Sequence, residues 1–171
     1  MATAFLSARR SNDPEHKTGA CVVNDDNKIV SIGYKGLPQN FGPDEISTDD
    51  PELDSQHWYV CHAAMNAVLN KNQENVHGCR MYCTHLPCNE CAKIIIQSGI
   101  RRIVYANEPP TDCVKAQAAK ILFSLVGVSL VRFRHEHVVT INLQVDESLC
   151  RVFFFRVSAA DSAVANTTHV S

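Results

Sequence analysis

The residue pattern predicts an α/β fold, a three-layer α/β/α sandwich around a mixed central sheet. Two observations carry this expectation. A β-hairpin pattern fills the early part of the chain, and from Ala63 onward helix-patterned and strand-patterned segments alternate. At 171 residues the chain can bury one good core and does not need two.

The first element, Ala2 to Arg10, is helix-prone and stops at Ser11-Asn12-Asp13-Pro14, a turn cluster with a helix-breaking proline. Ala20-Cys21-Val22-Val23 and Lys28-Ile29-Val30-Ser31-Ile32 are β-rich runs joined by Asn24-Asp25-Asp26-Asn27, which reads as a hairpin. Gly36 to Gln56 is rich in Gly, Pro, Asp and Glu and has no period, so it is a long surface loop of a kind usually kept for function. Ala63 to Asn70 is helical, with Met65, Val68 and Leu69 on one face. Arg80 to Thr84 is a strand. Asn89 to Ser98 is a helix closed by Gly99, which accepts the left-handed cap conformation. Ile100 to Tyr105 is a strand, and Cys113 to Val126 a helix with Asp112 as N-cap and Gly127 after it. Val128 to Phe133 and Val138 to Leu143 are further strands, and Val152 to Val157 has the pattern for one more. The expected organisation is a domain over 1–145 and a tail over 146–171, with Ser158 to Ser171 small, polar, patternless and expected to be disordered.

Bulk properties narrow the function classes. A formal charge of −2 argues against a duplex-coating protein, which needs a basic face, but a small nucleotide needs only a local basic spot. No apolar run reaches the ~18 residues of a membrane span, and Met1 to Arg10 lacks the features of a signal peptide. No membrane or nucleic-acid partner is expected. With no export signal, the 8 cysteines read as metal ligands and buried thiols rather than disulfides, and the expected compartment is the cytosol or nucleus.

The strongest chemical signal is His62-Ala63-Ala64-Met65-Asn66-Ala67 followed by Pro87-Cys88-Asn89-Glu90-Cys91. Two thiolates separated by two residues at a helix start can both point at one metal, and an imidazole at the start of another helix supplies a third ligand. Three nitrogen and sulfur ligands leave the fourth tetrahedral position for water, the pattern of a catalytic Zn²⁺ rather than a closed structural one. Both helix N-termini favour thiolate over thiol. The upstream histidine disfavours a bare redox pair at Cys88 and Cys91. Cys79, Cys83 and His85 alternate along a strand and read as buried thiols and a packed or exposed imidazole, with a second metal site as the lesser reading. Cys61 reads as core, and His57, His77, His135, His137 and His169 receive no role.

These motifs resemble the zinc-dependent cytidine and deoxycytidylate deaminases, whose signature is H-x-E followed by P-C-x-x-C. The likeness is greatest to the dCMP deaminases. It extends through Ala4-Phe5-Leu6-Ser7-Ala8, Gly19-Ala20-Cys21-Val22-Val23-Asn24, Gly33-Tyr34-Lys35-Gly36-Leu37-Pro38, Tyr59-Val60-Cys61-His62-Ala63 and Pro87-Cys88-Asn89-Glu90-Cys91-Ala92-Lys93. It spans roughly Met1 to Leu143. The resemblance implies a cytidine deaminase-like fold, zinc on His62, Cys88 and Cys91, and conversion of dCMP and water to dUMP and ammonia, feeding thymidylate synthesis. Deamination of dCTP, cytidine or tRNA adenosine, and a nucleotide-binding regulatory pseudoenzyme, are the alternatives.

One departure stands out. The family carries glutamate where this chain has Ala64. That glutamate takes the proton of the zinc-activated water and passes protons to the ring and the leaving amine, and losing one such group costs about 10²–10⁴ in rate. The chain is therefore expected to be inactive and still able to bind. An isolated change among intact ligands reads first as a substrate-trapping substitution and second as a natural pseudoenzyme.

The resemblance also places Asn24 at the sugar hydroxyl and the backbone around Ala63 at the base edge. The loop Tyr105 to Asp112, which follows a sheet strand near the site, is expected to grip the base or phosphate, with a core aromatic as the equal reading for Tyr105. Gly33 to Pro38 is similar to the family's Gly-Tyr-Asn-Gly-x-Pro segment, associated with a triphosphate regulator, though Lys35 replaces the asparagine. This implies an effector site at Gly33, Lys35 and Gly36. The acidic loop that follows, with Asp44 and Glu45, reads first as a solvated loop and second as a set of groups holding Mg²⁺ beside phosphates. The resemblance implies activation by dCTP, inhibition by dTTP and a homo-oligomer, the family's hexamer. The paired arginines expected in the following loop are missing.

Overall fold

The computed structural model describes residues 1–13, 16–42, 50, 53, 55 and 58–134, and the strand residues 140–141 and 155–156. Contacts divide the chain into two compact units, Met1–Phe133 and Arg134–Ser171.

In the first unit, α1 (Ala2–Ala8) leads into the hairpin of β1 (Gly19–Val23) and β2 (Ile29–Tyr34). Then follow α2 (Ala63–Leu69), β3 (Arg80–His85), α3 (Asn89–Gln97), β4 (Arg102–Asn107), α4 (Val114–Leu125) and β5 (Ser129–Arg132). The five strands form one mixed sheet in the order β2-β1-β3-β4-β5. β1 runs antiparallel to both β2 and β3, whereas β3, β4 and β5 are parallel. The switch at β3 has a simple cause. A short turn can only reverse the chain, while the segments holding α3 and α4 are long enough to return it in the same direction.

Two glycines show how the helices are divided between the faces. A Cβ on Gly19 would sit 2.0 Å from the Ala4 carbonyl oxygen of α1, and one on Gly33 would sit 2.3 Å from both Ala63 O and Ala67 N of α2. Gly33 pairs with Ala20, the residue after Gly19. Neighbouring strand residues point to opposite faces, so α1 and α2 lie on opposite sides of the sheet. The α/β/α architecture is as expected. The main core lies on the α2 side, where Val22, Met81, Ile95, Ile103 and Phe123 are fully buried together.

Gly33 is thus a close-packing residue between β2 and α2. Gly33→Ala is expected to destabilise the protein by about 1–3 kcal/mol, because the clash is with backbone that cannot rotate away. Urea unfolding, read as a lowered midpoint at unchanged slope, checks this.

Two details differ from the sequence reading. The N-cap of α4 is Cys113, not Asp112, and no side chain caps that helix. The helix begins one residue later than the Asp112 expectation requires, and the Cys113 N–H bonds back to Pro110 O at 3.1 Å. The strand expected at Val138 to Leu143 does not extend the main sheet. Its described part, β6 (Thr140–Ile141), pairs antiparallel with β7 (Phe155–Arg156) in a separate two-stranded ladder. Ser158 to Ser171 lies outside the described residues. No described helix is long and apolar enough to cross a membrane.

Candidate metal centre and its cavity

His62 and Cys88 are each the N-cap of a helix, with extended backbone (φ −73°, ψ 149° and φ −73°, ψ 174°). Their carbonyls accept the first intrahelical bonds, from Asn66 N–H at 3.0 Å and Ala92 N–H at 2.8 Å. Cys91 follows three residues after the Cys88 cap, one helical turn on, so the C-x-x-C spacing puts both sulfurs at the same end of α3. α2 and α3 pack on each other and bring the imidazole to the thiols.

The donor atoms of His62, Cys88 and Cys91 all lie within 4.8 Å of one another. His62 Nδ1 is 3.3 Å from Cys88 Sγ and 3.4 Å from Cys91 Sγ. A tetrahedral zinc at about 2.3 Å from sulfur and about 2.0 Å from nitrogen would hold such a pair about 3.5 Å apart. The donor set therefore fits Zn²⁺ in both chemistry and spacing, and it is the one such group among the described residues. The thiol of Cys88 is held well below its ordinary range, first by the hydrogen bond from Cys91 and then by His62, against the opposing effect of burial. Cys91 moves the other way, raised by the same bond and by its burial. The arrangement thus favours the thiolate at Cys88, the form a metal requires.

The triad opens onto a cavity of about 200 Å³ whose walls include Thr18, Gly19, Lys35, Ala63, Ala64, Thr84, Leu86 and Pro87. It lies at the carboxyl end of β3, where ligands of open α/β sheets collect. Its rim is stitched together by Gly19 N–H donating to Thr84 Oγ1 at 3.0 Å. Ala64 is the second residue of α2, 6% exposed, and it presents only a methyl to this space. Cys83 is also part of the wall. Burial, assisted by Cys21, pushes its thiol up to about 12, so it stays neutral.

The remaining candidates divide. Ala63 lines the cavity. Asn24 does not: it sits in the β1–β2 turn, where its Oδ1 accepts from Lys28 N–H at 2.9 Å and its carbonyl accepts from Arg80 at 3.1 Å. It borders a different, polar cavity with Asp25, Asp26, Gln73, His77 and Cys79. β1 reaches the metal triad with its first residue, so its last points away. Tyr105 is buried in the core, and nothing from Tyr105 to Asp112 lines the cavity. Glu108 of that loop is instead engaged by Lys120 and Arg132. Among the effector candidates, Gly36 borders a separate cavity of about 470 Å³ with Tyr34, Pro38, Cys61 and Asn66. Gly33 packs as described above, and Lys35 lies at the metal-side cavity. Asp44 and Glu45 fall outside the described residues.

Cys79 and Cys83 are buried thiols as expected, and Cys61 is half-buried, bridged through its backbone to Gly36. His85, which the sequence offers as a packed or exposed imidazole, lines the cavity at the end of β3. Its position three residues before the Cys88 ligand was the available signal. The roles of Thr18 and Thr84 had none, since they depend on the pairing of β1 with β3.

The family described as the cytidine and deoxycytidylate deaminase zinc-binding region matches residues 1–107. The human deoxycytidylate deaminase is 48% identical over 136 residues, covering 78% of this chain and 76% of that protein. A probable deoxycytidylate deaminase of Drosophila melanogaster is 42% identical over 140 residues, covering 77% and 69%. Among solved structures, the dCMP deaminase of cyanophage S-TIM5 in complex with dCMP and dUMP is 31% identical, with a TM-score of 0.63 over 77% of this chain and 92% of that one.

Proposed function

The chain belongs to the cytidine and deoxycytidylate deaminase family, and from that premise we propose that its cavity takes dCMP, with Ala64 leaving the substrate bound but unreacted. The observation that carries the reading is the His62, Cys88 and Cys91 triad opening onto a cavity beside Ala64. The likeness to a phage enzyme that binds dCMP and dUMP supports the choice of substrate.

His62, Cys88 and Cys91 would hold Zn²⁺ at the wall of the cavity. Zinc supplies a Lewis acid that makes water nucleophilic at neutral pH. The chain does the rest. Ala63, Leu86 and Pro87 offer apolar walls to a planar ring, and the Thr84 hydroxyl fixes the rim. Deamination at C4 also needs a group that takes a proton from water and returns one to the ring and the departing ammonia. The Ala64 methyl does neither, and no carboxylate lines the cavity among the described residues. Binding without turnover follows. Restored to full chemistry, the reaction is dCMP and water to dUMP and ammonia.

A regulatory nucleotide site is proposed at the second cavity, bordered by Gly36 and Asn66. The similarity of Gly33 to Pro38 to an effector-binding segment supports it. A regulatory pseudoenzyme is the second reading, favoured by Ala64 itself.

Calorimetry on the zinc-loaded chain tests the substrate. dCMP is expected to bind at a single site per chain, at least about tenfold more tightly than dAMP, since a pocket shaped for a pyrimidine rejects the larger base. Equal affinity for dAMP, or no binding of dCMP, would sink the proposal.

A further inference from the structure

We infer that Lys35 is the residue that selects the phosphorylated form of the substrate, a nucleoside monophosphate over the free nucleoside. The inference rests on the cytosine-nucleotide reading above and goes beyond it. Among the described residues lining the metal-side cavity, Lys35 alone carries a permanent charge. The metal ligands occupy one part of the wall, and the remainder is threonine, alanine, glycine, leucine, proline, Cys83 and His85. His85 is held toward its neutral form by burial and by the nearby His16, so it offers hydrogen bonds rather than a fixed charge.

The lysine is set in place. Its backbone N–H donates to Thr18 O at 3.0 Å, tying it to the rim. Its ammonium donates to Asp13 Oδ2 at 2.5 Å, and the two side chains are only 15% and 21% exposed. Asp13 is anchored in turn, its Oδ1 accepting from His16 N–H at 2.7 Å. An ammonium has three protons, and the bond to Asp13 uses one of them, so two remain to donate. A half-buried charge acts on a ligand more strongly than a solvated one, because less water screens it. A monophosphate carries close to −2 at neutral pH and three strong acceptor oxygens, which suits this donor. The free nucleoside offers it only neutral oxygens.

Lys35→Met tests this by calorimetry on the zinc-loaded chain, with dCMP and deoxycytidine as probes. A charge-assisted hydrogen bond is worth about ten- to a hundredfold in affinity. The substitution is therefore expected to weaken dCMP by that factor and to leave deoxycytidine within about twofold. Lys35→Arg is expected to keep most of the preference, and Lys35→Gln to lose it as methionine does, which covers a methionine variant that fails to fold. Equal loss of both probes, or loss of neither, overturns the Lys35 assignment and leaves the substrate reading standing. A parent chain that binds deoxycytidine but not dCMP, or neither, overturns the substrate reading and the Lys35 assignment with it.

Discussion

Ala64→Glu is expected to raise the rate of dCMP deamination by about 10²–10⁴-fold, the range that a positioned general acid–base contributes. The expectation depends on geometry already in place. Residue 64 is the second residue of α2, two positions after His62, and it lines the same cavity as the three candidate metal donors. A glutamate there starts from the same helical turn as the metal ligand. The neighbourhood offers no substitute, since no carboxylate lines the cavity among the described residues. Ala64 is 6% exposed and belongs both to the buried cluster and to the cavity wall, so the cavity is the space open to a longer side chain. Steady-state ammonia release from dCMP, with zinc content measured on the same sample, gives the result. Ala64→Gln is the control: it fills the same space without a titratable oxygen and should gain far less. A glutamate variant with full zinc and no deamination of dCMP, dCTP or cytidine would remove the enzyme reading and leave the pseudoenzyme.

Cys91→Ser is expected to lower zinc affinity by at least about a hundredfold, the upper end of what the loss of a mere supporting group around a metal costs. Cys91 is 2% exposed, and its sulfur lies 3.4 Å from His62 Nδ1. A serine hydroxyl at that place stays protonated at neutral pH and offers a shorter, harder donor. The site is left with two good ligands, and tetrahedral zinc binding in such sites needs three or four. Competition with a chromophoric chelator measures the loss. Cys83→Ser serves as the comparison, because Cys83 lines the same cavity as a neutral buried thiol and is no part of the donor group. Full zinc retention by Cys91→Ser would refute the ligand set.

Most of the fold is legible in the sequence, and the reasons are local. The hairpin showed itself in two β-rich runs around Asn24 to Asn27, and Asn27 does take the left-handed conformation (φ 62°) that such a turn requires. The helices at Ala63 and Asn89 were marked by period and by Gly99, which closes α3 at φ 78°. Misreadings fell where local pattern is silent. Asp112 has the chemistry of a cap, but the chain enters α4 one residue later. Thr140–Ile141 has strand character, yet strand character does not say which partner a strand will take, and this one pairs with β7.

The site divides along the same line. His62, Cys88 and Cys91 are legible in the sequence as a candidate donor group, because the C-x-x-C spacing spans one helical turn and both His62 and Cys88 stand at helix starts. Such geometry survives any packing that brings the two helices together. The presence of alanine at position 64 is likewise plain in the sequence. Only the tertiary structure decided that Asn24 lies away from the cavity while Lys35 lines it. β1 runs antiparallel to its neighbours, so its first residue meets Thr84 while its last points elsewhere, and β2 returns to bring Lys35 back beside Thr18. Which end of a strand reaches a site depends on pairing direction and register, and these are chosen by burying residues far apart in the chain.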